Sequence, residues 1–213
     1  MECIIRKYDS KDRADIRRIS CETAFLEYNR KRVFDDDEIL ADAFTLYFTD
    51  YEPGSCFVAV IDGVVSGYVI GTTDAFKMAR ISRSRIFRFL FMKALRRGIF
   101  FSQTNLELLF CLFKSFVKRE FKEPSFIKDY PAMLHINVSK EFRGKGVGAK
   151  LIETYLDFLK ENKSKGVHFG TLSERAKNFY LRMGFSVLHQ GIRSYLKPYI
   201  GESVHYYVLG RKL

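Results

Sequence analysis

The spacing of hydrophobic and polar residues changes several times along the chain, and each period predicts a different element. The clearest pattern covers residues 56–73, two β-rich runs that meet at Asp62–Gly63. Aspartate followed by glycine suits the positive φ angles of a tight turn, so the sequence predicts a β-hairpin here. Cys3–Tyr8 predicts a first strand, followed by helical spacing. The acidic cluster Asp35–Glu38 suits the first turn of a second helix, although a cation or substrate site would look the same.

The second half of the chain predicts strands separated by helices. The predicted strands are Met133–Val138, Val167–Leu172, Phe185–Gln190 and Val204–Leu209. Apolar residues at helical spacing between Leu151 and Leu159 predict a helix after the first of these strands, and a shorter helix from Ala176 can end at Gly184. An early hairpin and a late crossover unit indicate a mixed α/β fold.

Residues 75–129 have a different character, with thirteen basic and four acidic side chains. The whole chain has 36 Lys+Arg and 25 Asp+Glu, a formal net charge of +11, so most of the excess lies in this segment. Arg80–Arg97 and Asn105–Glu120 have helical patterns, and Gly98 is placed to end the first. The segment also contains Phe87, Phe89, Phe91, Phe110, Phe113 and Phe116.

Two interpretations of this basic, aromatic segment stay open. In the first, both helices pack their aromatic residues into the core and leave a solvated basic face. In the second, the helices form a cap over an acceptor cleft or a surface for an anionic partner such as nucleic acid or lipid.

Length and composition indicate the class of protein. With 213 residues and 47% hydrophobic residues, the chain can form one ample core, so we expect a single domain over residues 1–213 with a helical insertion at about 75–129. The four cysteines form no C-x-x-C pair, which suggests neither a zinc site nor a disulfide scaffold. We find no signal peptide and no apolar run of about 18 residues, and we expect a cytoplasmic protein without a membrane span.

The most informative segment is residues 138–148, VSKEFRGKGVG, which leaves a predicted strand and enters a predicted helix. Three glycines in five residues are unfavourable at a helix start unless the backbone needs positive φ or must approach a ligand closely. Free N–H groups at a helix N-terminus, with Arg143 and Lys145 nearby, would cradle a phosphate or pyrophosphate. An unliganded turn is the alternative. Neither the Walker A loop nor the Rossmann fingerprint matches the spacing.

This loop resembles the acyl-CoA pyrophosphate loop of the GNAT superfamily of N-acyltransferases, Arg/Gln-x-x-Gly-x-Gly/Ala. A second part of the family pattern follows in the same order, and the run Tyr130–Asn137 is similar to a bacterial subgroup of the superfamily. The matching residues are Arg143, Gly146 and Gly148 in the loop, followed by Lys165–Gly170, Ala176, Phe179–Tyr180 and Met183–Phe185.

The resemblance implies a GNAT fold: a mixed central sheet with splayed parallel strands flanked by helices, plus a helical insertion before the coenzyme-binding strand. It implies transfer of an acetyl group from acetyl-CoA, as co-substrate and without a metal, to a primary amine of a small molecule or a protein. A catalytically weak CoA-binding protein, or a basic module docking nucleic acid or membrane, is the alternative. The expected partners are acyl-CoA and an amine rather than nucleic acid, and a homodimer is compatible with the sequence.

The resemblance also implies which residues form the site. Tyr180 lies where many family members place the tyrosine that hydrogen-bonds or protonates the coenzyme sulfur, although it could equally be a core residue of its helix. A backbone N–H near Val138 would stabilise the oxyanion, and the pantetheine arm would pair with the strand edge beside Asn137. The implied coenzyme-binding residues are Ile136, Val138, Arg143, Gly144, Lys145, Gly146, Val147, Gly148, Ala149 and Ser173.

The general base is the least determined part of the expected site. His135 can titrate near neutral pH, and strand alternation places it on the same face as Asn137, so both are candidate catalytic residues beside Tyr180. His168 is a second candidate base, and either histidine could instead be a hydrogen-bonded core residue. Ser173 replaces an asparagine that many family members use to bind the coenzyme, and a serine there can also cap the following helix.

Overall fold

One mixed sheet of seven strands forms the centre of the computed structural model, which describes residues 2–28 and 30–213. The strands are β1 (Cys3–Lys7), β2 (Cys56–Ile61), β3 (Val64–Thr72), β4 (Ala132–Val138), β5 (Gly166–Thr171), β6 (Ser186–Arg193) and β7 (Val204–Lys212). Their order across the sheet is β1-β2-β3-β4-β5-β7-β6. Only β4 and β5 pair in parallel among these neighbours.

Helices cover both faces of the sheet. They are α1 (Arg13–Glu22), α2 (Arg30–Val33), α3 (Asp37–Tyr51), α4 (Ala75–Ile81), α5 (Phe87–Arg96), α6 (Gln103–Val117), α7 (Val147–Glu161), α8 (Glu174–Arg182) and α9 (Lys197–Ile200). The apolar stripe of α7, including Leu151 and Tyr155, packs on one face of the sheet. Ile16 and Ile19 of α1 pack on the opposite face. The sheet is therefore buried between two helical layers.

The predicted hairpin is confirmed. Asp62 has φ 50° and Gly63 has φ 79°, so both central residues of the turn between β2 and β3 are left-handed. Two successive positive φ angles give the strands the twist that a two-residue connection needs. The acidic cluster also has its expected place, because Asp36 caps α3 by accepting a hydrogen bond from the N–H of Ile39 at 2.9 Å.

The first helix of the basic segment differs in part from the prediction. It begins at Ala75 rather than Arg80, and a π-helical stretch, Ser82–Ile86, separates α4 from α5. Asp74 accounts for the earlier start, because its carboxylate accepts a hydrogen bond from the N–H of Lys77 and caps the helix. Gly98 lies just after α5 with a left-handed φ of 68°, a conformation that commonly ends helices, so its predicted role is confirmed.

The first interpretation of this segment is wrong for its aromatic residues, which do not pack into the core, although the two helices do close a part of the core. The helices contact the core through smaller side chains, Ala94 of α5 and Leu108 of α6, which are buried in one cluster with Ile99. Six phenylalanines are instead exposed: Phe87, Phe89, Phe91, Phe110, Phe113 and Phe116. Of the described helices, none combines the length and apolar content needed to cross a bilayer.

The parallel pair β4–β5 is interrupted. These strands pair only at Ala132 with Val167 and at Met133 with His168, although each continues for several residues beyond. From Leu134 onward, β4 is bonded to β3 on one side alone. The two strands therefore splay apart and leave a gap in the middle of the sheet.

Candidate active site

A cavity of ≈ 970 Å³ occupies the gap between β4 and β5. Residues 134–138 of β4 form one wall, and residues 169–173, at and after the end of β5, form the other. The loop before α7 and one side of α8 line one end of the cavity. At the other end lie Phe44 of α3, Arg193 at the end of β6 and Tyr195 after it. The splay thus creates a long cleft that crosses the sheet between its two helical layers.

The open edge of β4 presents backbone hydrogen-bonding groups to this cavity. The N–H of Ser139 donates to the carbonyl of Ser66 in β3 at 2.9 Å. Because backbone groups alternate in direction along a strand, the N–H groups of Asn137 and His135 also point toward β3. The N–H groups of Ile136 and Val138 therefore face the gap. An extended ligand could pair with this edge as an additional strand. The N–H of Val138 can also donate a hydrogen bond to an oxyanion in the cavity.

The glycine-rich loop adopts a backbone that only glycine accommodates without strain. Gly144 has φ 77° and Gly146 has φ 78°, and α7 begins directly after Gly146. Unlike α3, α6 and α8, this helix has no side-chain cap. The N–H groups of Val147, Gly148 and Ala149 precede the first intrahelical bond, which Lys150 donates to Gly146. The first turn of α7 therefore offers three backbone donors beside the cavity.

Three arginines line the same end of the cavity: Arg143, Arg175 and Arg182. The guanidinium of Arg143 donates from Nε to the carbonyl of Val138 at 2.9 Å. Burial and the repulsion of Arg175 lower the pKa of Arg143. A bound polyanion would relieve this repulsion, so charge and backbone geometry both favour an anionic ligand here. The sequence does not single out Arg175 and Arg182, although their spacing of seven residues places them on one side of α8.

Two of the expected coenzyme residues do not line the cavity. Lys145 is exposed, with its ammonium 5.4 Å from the ring centre of Phe142. The side chain of Val147 is buried in the core beneath α7, so only its backbone can contribute. Ile136, Val138, Arg143, Gly144, Gly146, Gly148, Ala149 and Ser173 all line the cavity.

Tyr180 is a buried residue of α8 that lines the cavity. Its ring packs against Phe169 at 4.6 Å and Phe179 at 5.0 Å between ring centres. Its hydroxyl has no hydrogen-bond partner among the residues that the structure describes. Burial raises the pKa of Tyr180 well above its ordinary value. The phenol therefore stays protonated and can donate one hydrogen bond to a ligand.

His135 and Asn137 project from the same face of β4, as strand alternation predicts. Asn137 Nδ2 donates to the hydroxyl of Tyr68 at 2.8 Å and lies 3.2 Å from Nε2 of His135. The imidazole sits between Phe44 and Tyr68, each 5.7 Å away between ring centres. Burial lowers the pKa of His135 to about 4, so the ring is neutral at neutral pH. Tyr68 and Phe44 could not be predicted as neighbours, because both belong to distant segments.

The second candidate histidine lies elsewhere. His168 Nδ1 donates to the carbonyl of Tyr130 at 2.7 Å, where β4 and β5 still pair, and the residue does not line the cavity. Burial lowers the pKa of His168 as well. Ser173 lines the cavity, but its hydroxyl accepts the N–H of Ala176 at 3.2 Å and caps α8. Among the described residues, no group of histidine, cysteine and acidic side chains could hold a metal ion.

The far end of the cavity has a charged wall that the sequence did not reveal. Arg193 is only 3% exposed and donates to the carboxylate of Glu123 and to the carbonyl of Glu120. Its guanidinium stacks 4.0 Å from the ring centre of Tyr206, and Tyr206 in turn covers Gly170 of β5. Glu123 and Arg193 are 70 residues apart, so no local pattern could have paired them.

Comparison with known proteins agrees with this geometry. Residues 118–187 match the family model of the acetyltransferase (GNAT) domain. The solved structure of SsHAT resembles the chain with a TM-score of 0.70 at 23% identity, over 100% of this chain and 98% of that one. A search of curated protein sequences gives no match.

Two further solved structures resemble the whole chain. Polyamine N-acetyltransferase from Drosophila melanogaster, which catalyses the formation of N-acetylagmatine, has a TM-score of 0.65 at 14% identity, over 100% of both chains. The protein yncA from Salmonella typhimurium, solved with its cofactor acetyl-CoA, has a TM-score of 0.58 at 16% identity, over 100% of this chain and 95% of that one.

The splayed strands and the uncapped helix behind a glycine loop both lie within the segment that matches the acetyltransferase (GNAT) domain model. Over its whole length the chain has the fold of the acetyltransferases that it resembles among solved structures. The fold that the sequence resemblance implied is confirmed, including the parallel strands that separate and the helices inserted before β4.

Proposed function

We propose that this protein transfers an acetyl group from acetyl-CoA to a primary amine of a small molecule or a protein. The observation that carries the proposal is the uncapped first turn of α7, which lies beside the cavity next to the open edge of β4. A diphosphate suits the backbone N–H groups of Val147, Gly148 and Ala149, with Arg143 and Arg175 compensating its charge. An amide-containing arm would then extend along β4 toward Tyr180.

The carbonyl of the thioester would lie near the N–H of Val138. Attack by the amine places negative charge on the carbonyl oxygen, and a preorganised backbone donor stabilises that charge without reorganisation. Tyr180 would donate a hydrogen bond to the departing sulfur. Because its pKa is raised, hydrogen bonding to the thiolate is favoured over complete transfer of the phenolic proton.

His135 would act on the amine from the wall of the same cavity. At neutral pH its imidazole is neutral, and Nε2 could accept a hydrogen bond from an uncharged amine that takes the place of Asn137 Nδ2 as its donor. With a pKa of about 4 it holds a proton weakly. It can therefore pass to water the proton that the amine loses once the C–N bond has formed. Before the amine binds, Asn137 Nδ2 holds the ring by donating to Nε2 at 3.2 Å.

The acceptor would enter from the end lined by Glu123, Arg193 and Tyr195. An amine acceptor is supported by the Drosophila polyamine N-acetyltransferase, which shares the fold. The charged wall contains one carboxylate that is already bonded to Arg193. Because this carboxylate is already paired, the wall does not select one kind of amine. The acceptor should therefore be identified with a panel that includes polyamines, aminoglycosides and peptide N-termini.

Calorimetric titration with acetyl-CoA, followed by a CoA-release assay over the amine panel, tests the proposal. Tyr180→Phe should lower kcat by about 10- to 100-fold and change the Kd for acetyl-CoA by no more than about twofold. Tyr199→Phe is a matched control, because its hydroxyl is also buried without a hydrogen-bond partner among the described residues but lies outside the cavity. This control should retain full activity.

Each part of the proposal can fail separately. Absence of acetyl-CoA binding would refute the coenzyme site itself. Binding without CoA release for any amine would favour the alternative, a CoA-binding protein that has lost turnover. Equal kcat values for the wild type and the Tyr180→Phe variant would remove Tyr180 from the reaction.

A further inference from the structure

The helices between β3 and β4 carry a large exposed surface that the acyl-transfer site does not use. We call it the aromatic–basic face and define it by the exposed apolar and basic side chains of residues 76–119. Phe101 is 92% exposed, Phe116 69% and Phe87 68%. Its other exposed apolar residues are Phe76, Phe89, Phe91, Met92, Leu95, Phe100, Leu106, Leu109, Phe110, Phe113 and Val117. Apolar side chains at this density are unusual on a solvated surface.

Helix α6 shows that this exposure follows from the residue pattern of the helix. Its buried stripe, which faces the core, is formed by Asn105, Leu108 and Ser115. Its exposed stripe has the spacing i, i+3, i+4, i+7 and i+11 on an adjacent face. That stripe consists of Leu106, Leu109, Phe110, Phe113 and Val117. The helix therefore has two apolar sides, and only one of them is covered.

Helix α5 repeats the arrangement. It buries Ala94 in the same cluster as Leu108 of α6, so the exposed sides of both helices face away from that cluster. Phe87, Phe91 and Leu95 recur at intervals of four residues and are all exposed. An unpartnered apolar surface thus extends over two helices and the connection between them.

Cations surround and interrupt this apolar surface. No acidic residue occurs between Asp74 and Glu107, a stretch that contains eight lysines and arginines. Two of these, Lys93 and Arg97, pair with carboxylates of α3 and its cap. The others form no ion pair with any residue that the structure describes; they are Lys77, Arg80, Arg83, Arg85, Arg88 and Arg96. On α6, Lys114 lies 4.3 Å from the ring centre of Phe110.

We propose that the aromatic–basic face docks the protein on the surface of an anionic phospholipid bilayer. Phenylalanine and leucine side chains would enter the boundary between headgroups and acyl chains, while the unpaired cations would bind lipid phosphates. The helices would lie in the plane of the interface. The charge of the face argues against a second copy of this chain, because two such surfaces repel each other. Nucleic acid would match the cations but would leave most aliphatic side chains without a partner.

Vesicle flotation with the full chain tests the docking surface directly. The protein should float with vesicles of phosphatidylcholine containing about 30% phosphatidylglycerol and should remain unbound with phosphatidylcholine alone. Raising the salt from about 0.05 M to 0.5 M should weaken binding, because the electrostatic part is screened. Tryptophan is absent from the chain, so Phe101→Trp would add a single fluorophore whose emission should shift to the blue on binding.

Two matched pairs of triple variants separate the apolar and the electrostatic contributions. Phe101→Ser, Phe113→Ser and Phe116→Ser together should weaken vesicle binding at least about tenfold. The control is Ile4→Ser, Val64→Ser and Ile192→Ser, which removes exposed apolar residues outside the face and should have no effect on binding.

The second pair changes charge. Arg80→Glu, Arg85→Glu and Arg88→Glu together should abolish binding to anionic vesicles. The control changes the net charge by the same amount at exposed positions outside the face: Lys7→Glu, Lys163→Glu and Lys165→Glu. This control should retain most of the binding to anionic vesicles. Circular dichroism confirms that each variant is folded.

The following results would overturn the proposal. One is equal binding to neutral and anionic vesicles, or none to either. Another is a salt-sensitive affinity for a random oligonucleotide that the serine triple leaves unchanged, which would assign the face to nucleic acid. A third is a dimer in sedimentation equilibrium that the serine triple converts to monomer, which would assign the face to a second copy.

Discussion

The low pKa of His135 makes a quantitative prediction about stability. An unfolded histidine titrates near 6.5, whereas His135 in the folded protein titrates at about 4. As the pH falls below about 6.5, the unfolded state takes up the proton first, and the folded state loses stability until the pH reaches about 4. The full loss is about 3.4 kcal/mol, from 2.5 pH units at about 1.36 kcal/mol each.

Between about pH 7.5 and pH 5, His135 should account for a loss of about 2 kcal/mol in the free energy of unfolding. Urea unfolding at both pH values, for the wild type and for His135→Gln, measures it. Other groups titrate in this range too, His168 among them, but they contribute equally to both proteins and cancel in the difference. The wild type should therefore lose about 2 kcal/mol more than the variant over this interval.

The matched control is His205→Gln, which replaces an exposed histidine of β7 and should behave as the wild type does. Parallel pH dependences of the wild type and His135→Gln, within about 0.5 kcal/mol, would refute the reasoning. The imidazole of His135 would then be charged in the folded protein at mildly acidic pH, which would contradict a pKa lowered by burial.

Three further substitutions test other parts of the site. Gly146→Asp should weaken acetyl-CoA binding at least about hundredfold in calorimetric titrations, because it adds backbone strain and a negative charge beside the helix N-terminus. Gly201→Asp is the control: this glycine also has a positive φ, 89°, with open space around it, and its replacement should not weaken binding. Gly170→Ala should cost about 1 to 3 kcal/mol in urea unfolding, because its Cβ would overlap the ring of Tyr206, and the cost should shrink in a Tyr206→Ala background. Ser173→Ala should cost about 1 kcal/mol by loss of the α8 cap, whereas Ser173→Asn should retain it.

Local signals predict the elements that position the site. The turn at Asp62–Gly63 and the loop around Gly146 can be predicted because glycine adopts positive φ at little cost, and such positions therefore concentrate glycine. The position of Tyr180 follows from the family pattern of a short helix that ends in Gly-Phe. Backbone conformations of this kind depend on a few consecutive residues, so they can be predicted from the sequence without knowledge of the tertiary structure.

Contacts between distant segments could not be predicted in the same way. Tyr68 is 69 residues from Asn137, and Arg193 is 70 residues from Glu123. The exposure of the phenylalanines escapes prediction for a related reason. Helical spacing identifies an apolar stripe, but it does not say whether the rest of the protein covers that stripe. In α5 and α6 the core uses Ala94 and Leu108, and the aromatic residues lie on other sides.

The short pairing between β4 and β5 has a consequence for the integrity of the molecule. Within the described sheet, two residue pairs are all that join the four strands on one side to the three on the other. An extended ligand in the gap would form hydrogen bonds with the backbone groups of β4 that β5 does not pair. The acyl donor would therefore stabilise the sheet as well as take part in the reaction. Deuterium uptake at the amides of Ile136 and Val138 should slow markedly when the donor is present. Without the donor, the two halves of the sheet would be hinged at Ala132 and Met133.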